Sequence, residues 1–427
     1  MSRRGGMPRT QWWGALVAFG LASSLAYGQS PTLGRFPDAR EAPPDGWSGP
    51  VFKLSQDYPP SLPAEEDYPW KRIDPKTQPD AYLRAVLSYA IEGNEASDWD
   101  GAENKVRKWF NAPWLHWGRN GREPIHGLTY ERVSQPGELS TLQTSPFQNW
   151  AIGFYNDRGA YTVGQVWRDA GNPNPAVAFF PNGSVSIKLL FTQSAQSEVP
   201  YVKDGKEWDA SIYEIIATPT NPFVPRRIQK LRLLQIDVAV KDDRSAETGW
   251  VFGTFVHNGL LPGARVWDRF VPVGLMWGND PNLTVAAARK GATVKEGWIN
   301  QSLDVPFQHL GWAGRLNGPV DNQISSCLSC HGTAQWPAKA PLVPHRGTTP
   351  DSTDWMSWFR NLKSPAAFST GAVSLDYSLQ LTAGIANFYE WKKLVESRGG
   401  NVASKSAPLS ASTAERIYPI TRGGEGE

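Results

Sequence analysis

Cysteine is almost absent: Cys327 and Cys330 are the only two in 427 residues. No disulfide framework can staple such a chain. One Cys-x-x-Cys pair falls short of the three or four ligands of a structural zinc. A disulfide across two residues would be strained, and a thioredoxin-like pair sits early in a βαβ pattern, whereas this one comes late, among Gly, Asn and Pro. Methionine is scarce too, with Met276 and Met356 the only two beyond the first thirty residues, and there are six histidines. After the N-terminal stretch no run approaches the ~20 apolar residues of a membrane-spanning helix. No sign of charge dominates, with 43 Lys and Arg against 41 Asp and Glu, so nothing points to nucleic acid. Absent as well are a Gly-x-Gly-x-x-Gly turn after a strand, a Walker loop, His-Glu-x-x-His and a Gly-x-Ser-x-Gly elbow.

What is present is the run Ser326-Cys327-Leu328-Ser329-Cys330-His331-Gly332. In a C-x-x-C-H box two thiols can add to the two vinyl groups of one haem, and the following histidine can ligate the iron. Cys327 and Cys330 are therefore the candidate attachment residues for one haem c, and His331 the candidate proximal ligand. The N-terminus agrees with that chemistry. Arg3, Arg4 and Arg9 precede an apolar stretch over 12–26, and Ala26-Tyr27-Gly28 offers cleavage before Gln29. These are the features of a secretory signal, so the expected location is periplasmic or secreted, with an uncleaved anchor as the alternative. Without the three leader arginines, 40 basic residues face 41 acidic ones.

The chain divides by composition. The expected segments are a signal peptide over 1–28, a Pro-rich extended arm over 29–76, a helix plus β-rich domain over 77–260, a loop block and haem-binding segment with C-terminal helices over 261–405, and a flexible tail over 406–427. Proline opposes helix in the arm, where Trp47 and Trp70 are candidate anchors. Apolar spacing near 3.6 predicts helices over 74–93 and 375–398, with shorter ones over 284–290 and 354–362. Alternation predicts strands over 184–191, 231–241 and 249–256, pairing into an antiparallel sheet with one packed face. Leu234, Ile236, Val238 and Val240 are read as one aligned face. The 20 tryptophans lie largely in Pro/Gly-rich surroundings and pin long loops. The expected class is α+β: a central antiparallel β-sheet, a C-terminal helical c-type haem segment and long Trp/Pro-rich loops.

Several short stretches, in order, resemble the cytochrome P-460 family, which includes the sheet-type cytochromes c-prime. Trp150-Ala151-Ile152-Gly153-Phe154-Tyr155-Asn156-Asp157 is similar to an early Gly-Asn-Asp segment of that family. Phe179-Phe180-Pro181-Asn182-Gly183-Ser184-Val185-Ser186-Ile187-Lys188 is similar to its Phe-Pro-Asp-Gly-Thr-Val strand ending in lysine. Val240-Lys241-Asp242 and Gly249-Trp250-Val251-Phe252-Gly253 follow, then the haem box. The likeness spans about 150–260 and 320–335; the gap from Gly259 to Cys327 is far longer than in compact members. It implies haem bound against a sheet, with Lys188 as the residue that could be cross-linked to the haem edge. It also implies oxidation of hydroxylamine or binding of nitric oxide or carbon monoxide. By alternation alone, Lys188 is a strand lysine facing solvent.

The far side of the iron sets the function. A methionine or histidine there closes the iron and makes an electron carrier; an open position allows ligand chemistry. Met356 is the first candidate for a sixth ligand, with core packing as its other reading. Met276 and His345 follow, His126, His257 and His309 precede the box, and His116 is a candidate to face a pocket. The expected function is a periplasmic mono-haem c-type cytochrome that transfers electrons to a redox partner protein. The alternatives are a haem enzyme oxidising small nitrogen compounds and a gas-binding haem protein.

Overall fold

The computed structural model describes residues 36, 42–115, 121–216, 224–303, 307, 309–345 and 347–397, all within one compact unit. The expected leader over 1–28, the tail over 406–427, all of 29–41 except Phe36, and His116 lie outside the described residues. The fold is mostly antiparallel sheet with a few helices. No described helix is long and apolar enough to cross a membrane.

Eight strands form the main sheet: β1 Thr129–Ser134, β2 Phe147–Tyr155, β3 Val185–Thr192, β4 Glu207–Tyr213, β5 Arg226–Lys241, β6 Trp250–His257, β7 Phe270–Met276 and β8 Gly297–Ile299. Their order is β1-β2-β3-β5-β6-β7-β8, and β4 pairs with the first half of β5. Strands β7 and β8, beyond residue 260, lengthen this same sheet. A two-stranded ribbon, β9 Gln335–Trp336 with β10 Val373–Ser374, lies apart from the main sheet. Residues 42–77 hold turns and extended chain with neither helix nor strand. Trp70 is buried there, stacked 4.8 Å from Tyr68, whereas Trp47 is only half-buried.

Alternation sorts the side chains into two cores. Ile187, Leu189, Ile236 and Val238 face helix α1 (Pro79–Ile91) and join Leu83 and Val86 in one cluster. Proline at the first turn suits α1, since its missing N–H has no intrahelical acceptor. The close approach of Leu83 to β6 requires glycine at 253, where a Cβ would collide with the Leu83 side chain. Leu234 departs from the expected face. The β3–β5 register passes from Leu190↔Gln235 to Phe191↔Leu233, so Leu234 is the extra residue of a bulge and joins the opposite core.

That opposite face was expected to be open, but it is covered. Chain from about 310 onward returns over it and places Leu328, Leu381, Ile385 and Phe388 against Leu190, Leu234 and Phe252. Both faces are therefore packed, and polar side chains on the second face look into protein. Helix α2 (Asp157–Val166), which no sequence pattern announced, is fixed by its cap. The Asn156 carboxamide oxygen accepts from Gly159 N at 3.0 Å and Val185 N at 2.9 Å, and its nitrogen donates to Gly183 O at 2.9 Å. Asn156→Ala is expected to lower stability by about 2 kcal/mol, the upper end for a lost cap, because two other buried groups lose partners; a urea midpoint indistinguishable from wild type would contradict this. The remaining helices are α3 (Val285–Ala288), α4 (Cys327–His331), α5 (Thr353–Met356) and α6 (Leu379–Ser397).

Candidate functional site

Helix α4 is the C-x-x-C-H box itself. Its single turn holds because Ser326 caps it: the Ser326 hydroxyl accepts from Ser329 N at 3.1 Å, and Ser329 Oγ accepts from Ser326 N at 2.7 Å. The Ser326 hydroxyl also donates to Asn279 Oδ1 at 2.8 Å, tying the turn to the end of β7. Helical spacing puts residues three and four apart on one face, so Cys327, Cys330 and His331 all line the same cavity. The cysteines are free thiols. Burial pushes the Cys330 thiol up to about 11 and raises Cys327 well above its ordinary value, so both are protonated thiols at neutral pH.

His331 is neutral. Burial pulls its imidazole down to about 4, against the opposing pull of the Tyr377 carbonyl. Its Nδ1 lies 2.9 Å from that carbonyl, and a carbonyl can only accept, so the proton is on Nδ1. Nε2 carries the lone pair and is the nitrogen available to a metal. The ring of Phe252 packs 4.8 Å from the imidazole centroid. Tyr377 and the preceding Asp376 both have left-handed backbones, with φ of +67° and +48°. For L-residues this costs roughly 1–2 kcal/mol each, and the surroundings must impose it.

The cavity has a volume of about 530 Å³, within the range of roughly 300–1,000 Å³ typical of ligand sites. Its floor is the second face of the sheet and its roof is α6. A row of cross-strand partners runs over the floor: Gly153, Lys188, Asp237 and Thr254. At Gly153 a Cβ would meet the Gln380 amide of α6 at 2.6 Å; glycine there gives Gln380 its place in the wall. Lys188 Nζ pairs with Glu131 at 2.9 Å. Burial lowers the Lys188 pKa, but Glu131, Asp321 and Asp237 together raise it more, so it is a firm cation. Gln235 Nε2 bridges two carboxylates, 2.9 Å from Asp237 Oδ1 and 2.9 Å from Asp321. Thr254 Oγ1 donates to Asp237 at 2.9 Å and lies 3.9 Å from Cys327 Sγ. Burial, then repulsion from Asp321, pushes Asp237 up to about 7; burial raises Asp321 as well. Near neutral pH the pair retains a proton beside a lysine cation.

No family model, no curated protein and no solved structure matches this chain. The site therefore stands on its own geometry.

Sequence reading placed Cys327, Cys330 and His331 together, and the cavity holds all three along with Lys188. Lys188 lines the cavity under the returning chain, with 36% of its side chain still accessible. Met356 is elsewhere: it packs with Trp312, Ile324, Trp355, Trp358 and Phe359. Met276 is buried at the end of β7 opposite Phe252. His126 stacks 4.3 Å from Trp208, and His257 Nδ1 bonds to Tyr201 O at 3.0 Å. His345 lies 6.0 Å from the Trp358 ring, and His309 Nδ1 bonds to Phe307 O. None of these lines the cavity.

The sequence reading missed Glu131, Gln235, Asp237 and Asp321. A signal existed for two of them. Gln235 and Asp237 alternate with the apolar residues of β5, and Asp237 pairs across from Lys188 once the strands are in register. An acid opposite a lysine on one face invites a search for what covers that face.

Proposed function

We propose that this chain is an exported mono-haem c-type cytochrome. In this reading haem c is bonded to Cys327 and Cys330 and ligated by His331, and the opposite side is open to a small polar molecule. The observation that carries it is the make-up of the cavity wall. Among the described residues that line it, His331 is the only histidine and there is no methionine, while Lys188, Glu131, Asp237 and Asp321 supply charge. Free thiols one turn apart and a neutral imidazole with Nε2 unprotonated are the donor set that haem attachment needs.

Haem would supply one-electron redox chemistry and a metal position for a ligand. The chain's own residues would do the rest. The Lys188 ammonium orients and neutralises an anionic or polar ligand, and the Asp237–Asp321 pair holds a proton that can be given or taken. The resemblance to the cytochrome P-460 family enters here as part of the proposal, with Lys188 at the position of that family's cross-linked lysine. The ligand class is then a small nitrogen compound such as hydroxylamine, or nitric oxide or carbon monoxide. Electrons would pass to or from a periplasmic redox partner protein. A closed electron carrier with Met356 as sixth ligand is disfavoured, because Met356 is packed among tryptophans away from the cavity.

Carbon monoxide added anaerobically to the reduced holoprotein tests this reading. A prompt Soret shift is expected; an unchanged spectrum, together with a methionine–iron charge-transfer band in the ferric form, would overturn it. In the same experiment, a red-shifted ferrous Soret that returns to an ordinary c-type position in Lys188→Ala supports the cross-link. An ordinary band in the wild type removes that part of the proposal.

A further inference from the structure

We infer that the buried Lys241–Asp376 ion pair is the positioning element of His331: it clamps the left-handed turn whose carbonyl fixes the imidazole. This rests on the reading of His331 as the haem ligand.

The observations begin with a conflict between local propensity and structure. Apolar spacing predicts a helix from residue 375, yet α6 begins at Leu379. In a helix running through 377, the Tyr377 carbonyl would accept from Leu381 N and would be lost to His331. Instead Leu381 N donates to Ser378 Oγ at 3.1 Å, and the Tyr377 carbonyl takes the proton of His331 Nδ1 at 2.9 Å. The left-handed backbone at Asp376 and Tyr377 makes this arrangement.

What holds that backbone comes from the sheet. The Asp376 carboxylate is fully buried and receives Lys241 Nζ at 3.0 and 3.1 Å, Trp250 Nε1 at 2.9 Å and Phe180 N at 2.9 Å. Lys241 Nζ also contacts Ser364 Oγ. Lys241 ends β5, Trp250 opens β6, and Phe180 lies in the loop before β3, so two strand ends and a loop converge on one side chain. The next residue is fastened too, with Tyr377 OH donating to Leu362 O at 2.5 Å. Backbone strain beside a ligand's hydrogen-bond partner, enforced by a buried ionic clamp, is the arrangement expected of a positioning device. A hydrogen bond from the second nitrogen fixes a ligating histidine's tautomer and raises its basicity. The clamp thereby sets the electron donation of His331 from residues that never touch it.

The test uses the double variant Lys241→Met/Asp376→Asn, which leaves no lone buried charge, and Trp250→Phe, which removes one donor while keeping the ring. Two signatures are read on the purified full chain. In the imidazole nitrogen spectrum of isotopically labelled protein, the His331 Nδ1 proton is expected to lose its protection from solvent exchange in the double variant, and partly in Trp250→Phe. In haem-bearing protein, the iron–histidine stretching frequency falls and the reduction potential rises in the same order. If the double variant does not fold, Trp250→Phe decides alone. Lower thermal stability with protection, frequency and potential all at wild-type values would make the pair merely structural and overturn the inference. A wild-type chain that carries no haem would defeat the functional reading instead, and the nitrogen spectrum would still decide the clamp.

Discussion

Replacing Cys327 and Cys330 together by alanine, in a Lys188→Ala background that removes the proposed cross-link, is expected to leave no haem on the denatured polypeptide, while the wild type retains it through denaturation and electrophoresis. The expectation follows from bond counting. Each thiol would add across one vinyl group, its sulfur bonding to one carbon and its hydrogen ending on the other, so attachment would need no external oxidant. Two thiols make two thioethers, and the single variants keep one each. Cys327→Ala and Cys330→Ala should therefore still carry haem through denaturation, with the pyridine haemochrome band displaced toward that of a haem with one remaining vinyl. The geometry favours both additions. The thiols are three residues apart on one face of α4 and free. Haem that stays with the denatured double variant once Lys188→Ala has removed the proposed cross-link as well would sink the attachment reading, whatever the cavity binds. The native double variant is expected to bind haem weakly and reversibly, because His331 and the cavity remain.

The C-x-x-C-H run was legible because its residue types and spacing survive any tertiary context. Strands β3, β5 and β6 were legible because they alternate. Strands β1, β4, β7 and β8 were not, since their burial is set by neighbours in the sheet: Thr129–Ser134 is half-buried almost throughout, and Phe270–Met276 is buried on both faces, so neither shows a clean period of two. The direction of Lys188 could not be read, because alternation assigns a side but not what covers it. Leu234 was misplaced by a bulge that has no sequence signature. The start of α6 was read four residues early because Leu375 fits the helical pattern while Asp376 answers to Lys241, 135 residues away. The candidate site divides in the same way. Its cysteine–histidine wall was written locally, whereas the carboxylate pair depends on sheet register and on a loop returning from residue 321.

That carboxylate pair yields the second large effect, a stability that falls as pH rises. An ordinary aspartate titrates near pH 3.9, and Asp237 in the folded chain is pushed up to about 7. Between about pH 4 and 7 the folded state therefore holds a proton that the unfolded state has released. Unfolding releases that proton, so raising the pH favours unfolding throughout the window. The contribution is fully present below the unfolded value and is lost as pH passes through the folded one. Roughly three pH units at 1.36 kcal/mol each set a ceiling of about 4 kcal/mol; screening at the half-buried Asp237 reduces it to about 2 to 3 kcal/mol. Asp237→Asn keeps an acceptor for Gln235 and Thr254 but cannot ionise. Urea midpoints from pH 4 to 8, compared with haem in the same state in both chains, should show wild type losing stability relative to Asp237→Asn as pH rises, with the variant the more stable at pH 8. Parallel curves would mean that Asp237 titrates as an ordinary surface acid. In that case the cavity would not hold a proton at neutral pH, and the acid–base part of the proposed function would lose its donor. Because Lys188 faces Asp237 across the β3–β5 register, a flattened curve in Asp237→Asn would also place that lysine beside a neutral neighbour at pH 6, where it acts as the only fixed cation of the floor row.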